Sequence, residues 1–231
     1  MAYRCIATSE IGFVQQLACN YLPHGYWFYV KGKIPEGKNA KLVDEKIVEK
    51  YEIDVSRQTR ARRKSKGLSN LQYLRLGQDF VLVATKGRHL FFEEEGGSIR
   101  DVREQPIRFH GYSISVKRGD YLRKEGGDGP AKRDGRFRSR VRVSRPVYLD
   151  WHAYFAEAAK HVQAERLARE LYQFPYEPYA PVRKQVLRLV SVVNRVRKER
   201  GRRPLDPKRV VRYRRRIVRP FDLPNEERGG S

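Results

Sequence analysis

The sequence predicts an α+β fold: a mixed or antiparallel sheet with helices on one face, a helix-turn-helix-like insertion, and a helical C-terminal region with a basic arm. Short β-branched and aromatic runs bounded by glycine, such as Phe80–Val83, are typical of strands. Stretches with apolar residues three and four apart, such as Glu10–Leu22, are typical of amphipathic helices. Both patterns occur in residues 1–145, and mainly the helical one continues afterwards, so a mixed domain followed by helices is expected.

The stretch Gly77–Gly97 is predicted to form a central hairpin. Two apolar runs, Phe80–Val83 and Leu90–Phe92, are separated by a polar segment and closed by two glycines. Phe80–Val83 is apolar without alternation, as expected of a strand that is covered on both faces. This run is therefore expected in the interior of the sheet.

Two strands and a helix are predicted before this hairpin. Tyr3–Thr8 is the first strand, and Ser9 is the N-cap of a helix over Glu10–Leu22. Gly25–Ile34 is a second strand, rich in aromatic residues. Its rings either pack in the core or form an exposed platform on which bases stack.

Residues 40–67 form the helix-turn-helix-like segment. A helix over Ala40–Tyr51 is capped by Asn39, and an arginine-rich helix over residues 57–66 is capped by Ser56. Two short helices joined by a tight connection are typical of this motif, although its usual turn glycine is absent. The first helix is expected to direct these residues to the core: Leu42, Val43, Ile47, Val48 and Tyr51.

Strands are also predicted after the hairpin. Ile99–Val102 and Ile107–Val116 are the first two, with His110 as a packed residue at the sheet margin. Residues 118–135 lack apolar periodicity and are rich in glycine, which predicts a connection. Residues 136–143 alternate between arginines and small or apolar side chains, so one face of this strand is a row of arginines.

The C-terminal third is predicted to be helical. Residues 146–173 form the first helical stretch, and Pro181 begins a helix that ends before Gly201. The apolar stripe of the 181–200 helix is either core or the contact surface of a protein partner. Asp206 caps a last short helix or arm, and a disordered tail is expected over 225–231.

The two cysteines, Cys5 and Cys19, have neither the CxxC spacing nor the clustered histidines of a zinc site. Both are predicted to be small core residues in a reducing compartment.

The net charge of +23 is concentrated in three segments. Residues 54–76, 117–145 and 195–219 carry +6, +7 and +11, which leaves the rest of the chain nearly neutral. Segregated charge of one sign, with arginine predominant, indicates a polyanionic partner. Nucleic acid is favoured over an anionic membrane, because no helix combines a basic face with an exposed apolar face.

Three sets of basic residues are predicted to bind nucleic acid. Arg57, Gln58 and Arg60 are of the types that read base edges, and their neighbours would hold phosphates. The strand and the arm supply the other two sets. The full list is Arg57, Gln58, Arg60, Arg62, Arg63, Lys64, Lys66, Arg136, Arg138, Arg140, Arg142, Arg212, Arg214, Arg215 and Arg216.

A metal-dependent nuclease or nicking enzyme is the alternative. His89 and Glu93 could bind Mg²⁺ or Mn²⁺, and Tyr121 begins a Tyr-x-x-Lys sequence in the order of rolling-circle endonucleases. The second histidine of that scheme is replaced by Phe91, and no cofactor motif is present. A non-catalytic turn is therefore the preferred interpretation of this segment.

These patterns together predict a DNA- or RNA-binding protein, with DNA favoured. The expected domains are 1–145, an α+β nucleic-acid-binding domain, and 146–224, a helical region with an arginine-rich arm. No apolar run approaches the length of a membrane span, about 18 residues. A cytoplasmic, nucleoid-associated or nucleoprotein-bound protein is expected, such as an accessory or regulatory component of a mobile element or a ribonucleoprotein.

Overall fold

Helices and antiparallel strands make up the computed structural model, which confirms the predicted α+β class. The structure describes residues 3–119, 122–123 and 132–222, without the side chains of 122–123 and 132–133. Two compact units are present. Unit 1 contains the described residues within 1–106, 115–139 and 218–231, and unit 2 contains those within 107–114 and 140–217. The predicted tail over 225–231 lies outside the described residues.

A four-stranded antiparallel sheet forms the centre of unit 1. Its strands are β1 (Phe28–Lys33), β2 (Leu71–Leu76), β3 (Asp79–Ala84) and β4 (Arg100–Asp101), in the order β2-β3-β1-β4. β3 pairs on one side with β2 and on the other with β1. The prediction that Phe80–Val83 lies inside the sheet is therefore confirmed.

The predicted partner strand Leu90–Phe92 is wrong. These residues begin the short helix α4 (Leu90–Glu94), and the hairpin partner of β3 is instead β2, joined through Gly77. Phe91 is fully buried beside Tyr51, which a helical turn permits. A three-residue apolar run satisfies either a strand or one turn of helix, so periodicity alone cannot separate them.

The N-terminal segment is less extended and more helical than predicted. Instead of a strand over Tyr3–Thr8, Ile6 makes a single parallel bridge to Arg75. α1 (Glu10–Gln15) begins at Ser9, whose side chain accepts from the Gly12 N–H as predicted. A π-helical segment, Gln16–Tyr21, and a 3₁₀ turn, Leu22–His24, continue it.

The helix α2 (Ala40–Lys50) keeps most of its predicted core face, since Ile47 and Val48 pack against the core and Tyr51, just after the helix, is buried. Asn39 caps it as expected, but Leu42 is 61% exposed, whereas Asp44 is only 5% exposed. Asp44 accepts hydrogen bonds from the Tyr73 hydroxyl (2.7 Å) and from Arg75 Nε and Nη2 (2.8 and 2.7 Å). Burial, together with the hydrogen bond to Asp44, raises the pKa of Tyr73, and the hydrogen bond to Asp44 raises the pKa of Arg75. α2 is thus attached to β2 by a buried ion pair.

The two cysteines have different environments. Cys5 is buried, and burial raises the pKa of its thiol to about 11. Cys19 is exposed, so its predicted core position is wrong. Val14, Leu17, Ala18 and Tyr21 form the buried face of this helical segment, and Cys19 is not on that face. The prediction rested on residue type alone, without the helical position of Cys19.

A tight hairpin replaces the single predicted strand Ile107–Val116. β5 (Ile107–Phe109) and β6 (Tyr112–Arg118) are antiparallel, and His110 and Gly111 form the turn with φ of 41° and 79°. His110 is exposed and its ring stacks on Phe109, so it does not share the buried face of Tyr112. Short strands β7 (Leu122–Arg123) and β8 (Lys132–Arg133) pair within the predicted connection, and β9 (Phe137–Val143) completes the sheet order β5-β6-β9.

Unit 2 is mainly helical. Its helices are α5 (Arg145–Ala158), α6 (Ala164–Tyr172), α7 (Ala180–Glu199) and α8 (Pro207–Val210). α7 begins beside Pro181 and ends before Gly201, as predicted, and Asp206 caps α8. None of the described helices is both long and apolar enough to cross a bilayer.

Candidate nucleic-acid interface

The basic helix of unit 1, α3 (Arg57–Ser65), is determined by its own sequence. The Ser56 side chain accepts from the Thr59 N–H (3.1 Å), which satisfies one of the unpaired donors at the helix start. Basic residues fill the last turn, where they complement the helix dipole. Glu52, with φ of 46°, occupies the turn position that glycine usually takes. The two predicted helices are therefore present, whereas a groove-reading role for them stays a prediction.

Two of the predicted contact residues on α3 point toward the protein. Arg60 donates from Nη2 to the Ile53 carbonyl (3.1 Å), and its Nε is buried, so it is not placed to read a base. Arg63 donates to the Glu52 carbonyl (3.1 Å) and pairs with the Glu52 carboxylate. Both arginines are thus engaged within the α2–α3 connection.

The other basic side chains of α3 are on its exposed side. Among the described residues, no carboxylate forms an ion pair with any of them. Cations without internal partners can bind external phosphates without breaking a native interaction. With the uncharged Gln58 and with Lys66, which follows the last residue of α3, the exposed set is Arg57, Gln58, Arg62, Lys64 and Lys66.

Two further cations, which the sequence analysis did not indicate, lie beside the C-terminal end of α3. Lys86 and Arg88 are exposed, and the backbone around them bonds to the segment after α3. Arg88 N–H donates to the Gly67 carbonyl (3.0 Å), and Ser69 N–H donates to the Arg88 carbonyl (3.1 Å). A sequence pattern could not reveal this cluster, since the two segments lie about twenty residues apart in the chain and are joined by the Leu68–Arg88 bridge and the hydrogen bonds around it. We call the exposed set together with Lys86 and Arg88 the α3 face.

Gly87 permits this close approach. Its φ is 147°, and a Cβ there would lie 2.5 Å from Ser69 N and 2.6 Å from Leu68 C. Both atoms are backbone and cannot move aside as a flexible side chain would. The position of Lys86 and Arg88 beside α3 thus depends on the missing side chain at residue 87.

The arginines of the predicted row on β9 differ in whether they have an ion-pair partner. In unit 1, the guanidinium of Arg138 donates two hydrogen bonds to the Asp134 carboxylate (Nη1–Oδ1 2.9 Å), which lowers the pKa of Asp134 to about 2. In unit 2, Arg140 and Arg142 form no ion pair with a described residue. Arg142 is exposed, and partial desolvation by its neighbours together with the nearby charges of Arg140 and Arg188 lowers its pKa. Arg136, which precedes β9 in unit 1, is exposed and likewise forms no ion pair with a described residue. Of the four arginines in the row, Arg138 therefore has a carboxylate partner within the described part of the chain.

The arginine-rich arm is mostly engaged within unit 2. Arg212 donates to the Phe174 and Tyr176 carbonyls (2.6 and 2.9 Å), and Arg216 pairs with the buried Glu177 (3.1 Å). The guanidinium of Arg215 lies 4.5 Å from the centre of the Tyr179 ring. Arg214 is exposed. The dense charge of this segment is thus used largely to hold the arm in place.

The aromatic run of β1 is not a bare stacking platform. Tyr26 and Tyr29 are buried, as the core interpretation requires. The half-buried Trp27 is covered by Arg103, whose guanidinium lies 4.5 Å from its ring centre and is held by Asp101 (Nη2–Oδ2 2.5 Å). A base would have to displace this arginine before it could stack there.

Among the candidate catalytic residues, His89 has a structural role. His89 caps α4, and its Nδ1 accepts from the Phe91 N–H (3.1 Å). Burial, together with nearby Arg63, lowers the pKa of His89, which keeps the ring neutral as this acceptor role requires. Glu93 is exposed, and Tyr121 lies outside the described residues.

No metal site is apparent in the part of the chain that the structure describes. No group of three His, Cys, Asp or Glu side chains is arranged there to hold an ion. Instead, Lys50 pairs with Glu94 (2.5 Å), and the Tyr51 hydroxyl donates to Glu95 (2.6 Å). The nuclease alternative stays a prediction.

No family model matches the sequence, and no curated protein matches it significantly.

Proposed function

We propose that this protein binds nucleic acid, DNA in preference to RNA, through the α3 face of unit 1. The observation that carries the proposal is that this face has six cations, Arg57, Arg62, Lys64, Lys66, Lys86 and Arg88, and none is neutralised by a described carboxylate. By contrast, the arginines that face the protein, Arg60 and Arg63, have internal acceptors. Unpaired surface cations repel one another, and a polyanion that neutralises them relieves this repulsion and releases its own counterions, which favours binding.

A helical contact element favours DNA. The B-form major groove admits an α-helix, whereas the A-form major groove of RNA is deep and too narrow for side chains to read. Arg57 and Gln58 lie in the first turn of α3, where a helix entering a groove places its base contacts. Base reading by α3 would therefore involve these two residues and not Arg60.

Salt dependence of binding tests the proposal. Each phosphate contact contributes about 0.9 to the slope of log affinity against log salt concentration. Removing two contacts in the Arg57→Gln/Arg62→Gln variant should lower that slope by about 1.8 and weaken binding about 30-fold at 150 mM salt. Fluorescence anisotropy with labelled duplexes, single strands and structured RNA measures both quantities.

A control variant removes an exposed charge that already has a partner. Lys41 on α2 lies 4.0 Å from Glu45, so Lys41→Gln changes the net charge equally per site without touching the α3 face. Its salt slope should equal that of the unmodified chain. Affinity that does not change between 50 and 200 mM salt, or equal losses in both variants, would refute the proposed interface.

A further inference from the structure

We propose that unit 2 carries a second nucleic-acid surface: a straight row of cations along α7, extended by Arg140 and Arg142 of β9, that binds the phosphate backbone of a double helix independently of sequence. This inference rests on the proposed nucleic-acid-binding function. It concerns a different set of residues from the α3 face and can fail separately.

The two faces of α7 have opposite character. The predicted apolar stripe is buried within unit 2, and it comprises Val182, Val186, Leu189, Val190 and Val193. It is therefore core, and the suggested protein-partner contact through this stripe is corrected. The exposed side of the helix is polar and basic, and it comprises Lys184, Arg188, Ser191, Arg195 and Lys198.

The exposed residues are aligned along the helix axis. Their spacing of four, three, four and three residues places them within an arc of about 80° at 3.6 residues per turn. From Lys184 to Lys198 the row is about 21 Å long at 1.5 Å per residue. Duplex DNA advances about 3.4 Å per base pair, so the row matches the phosphates of about six base pairs.

These cations have no internal counter-charge. Glu199, the last residue of α7, is its only acid, and among the described residues no ion pair is formed by Lys184, Arg188, Arg195 or Lys198. The one arginine of α7 that is buried is used differently. Arg197 donates to the carbonyls of Arg203 (2.6 Å) and Val162 (2.8 Å), which closes the helix end.

β9 adds two cations beside the middle of this row. The Gln185 side chain accepts from the Val143 N–H (2.9 Å) and donates to its carbonyl (3.0 Å), which fixes the end of β9 against α7. Arg188 is one turn further along the helix, and its charge acts on Arg142. The Gln185–Val143 contact thus places the end of β9 beside α7, where the charges of Arg140 and Arg188 both act on Arg142. An anion placed among them relieves their mutual repulsion.

The chemistry of the row favours backbone contact with a duplex. Single-strand sites combine cations with aromatic side chains on which bases stack, and the row contains no aromatic residue. Amide side chains could read base edges, but Gln185 is bonded to Val143 and Asn194 to both backbone groups of Leu205 (2.7 and 2.9 Å). Phosphate contacts alone carry no sequence information.

The experiment compares the intact chain with an Arg188→Gln/Arg195→Gln variant. Labelled 20-base-pair duplexes of two unrelated sequences and one single strand are titrated over a range of salt concentrations. The variant should lower the duplex salt slope by about 1.8 and weaken both duplexes equally, about 30-fold at 150 mM salt. As a control, Arg166→Gln removes an α6 arginine that pairs with Glu170 (3.1 Å) and should leave the slope unchanged.

The possible outcomes separate the two proposals. Failure of the intact chain to bind any nucleic acid at low salt overturns the proposed function and this inference together. Binding that weakens in the Arg57→Gln/Arg62→Gln variant but not in Arg188→Gln/Arg195→Gln overturns this inference alone. A larger loss on the single strand than on the duplexes, or unequal losses on the two duplexes, also overturns it.

Discussion

Replacing Asp44 with alanine is expected to destabilise unit 1 by about 3 to 5 kcal/mol, the usual cost of removing one partner from a buried ion pair. The substitution leaves Arg75 buried, with Nε and Nη2 deprived of their acceptor, and also removes the acceptor of the Tyr73 hydroxyl. For a protein of this size each kcal/mol lowers Tm by about 2 to 4 °C, so a decrease of about 6 to 20 °C is expected.

The assay is thermal unfolding followed by circular dichroism, with a control on the same helix. Glu45 lies next to Asp44 and pairs with Lys41 at 4.0 Å, but both side chains are exposed. Glu45→Ala should therefore change stability by less than about 1 kcal/mol. The double variant Asp44→Leu/Arg75→Met should be less destabilised than Asp44→Ala, because it leaves no unpaired charge. Equal Tm values for the Asp44 and Glu45 single variants would refute the role of the buried pair.

Two further predictions concern the segment before α4. His89 is neutral in the folded state, since its pKa is lowered, whereas the unfolded chain takes up a proton near pH 6.5. The contribution of His89 to stability is therefore full above that pH and is lost as the pH falls. The variant His89→Asn keeps a capping side chain and should show a smaller decrease in Tm between pH 8 and pH 5. An unchanged pH dependence of Tm would contradict the neutral, capping role of His89. Gly87→Ala should lower the free energy of unfolding, measured by denaturant titration, by at least about 2 kcal/mol, because the new Cβ would lie 2.5 Å from Ser69 N. Gly77 has φ of 57° but open space around it, so Gly77→Ala should lower the free energy of unfolding by about 1 kcal/mol. Equal costs at the two glycines would show that the backbone contact is not limiting.

Features that depend on a few neighbouring residues were predictable from the sequence. Ser9, Asn39, Ser56 and Asp206 all cap helices as expected, because capping pairs a side chain with an N–H two or three residues away. The presence of the longer helices follows from local periodicity in the same way, as for α2 and α7.

Features that depend on distant partners were not predictable. The burial of Asp44 in place of Leu42 depends on Arg75, which lies on β2 and is distant in the sequence. Charge counting found the basic segments but could not tell Arg62, which is exposed, from Arg63, whose charge is taken by Glu52. The basic residues of the α7 row recur at helical spacing in the sequence, but that they are exposed is known only once the buried face of the helix is known.

The distribution of tryptophan gives each unit its own optical signal. The chain has two tryptophans, Trp27 in unit 1 and Trp151 in unit 2. Trp27 donates from its indole N–H to the Leu22 carbonyl (3.0 Å) and lies beneath Arg103, whereas Trp151 is surrounded by aromatic rings such as Phe155 and Phe174. A charged group over one indole and apolar rings around the other place the two emitters in different electrostatic fields. Chains with a single tryptophan, made by Trp27→Phe or Trp151→Phe, therefore allow fluorescence to follow ligand binding and unfolding in each unit separately.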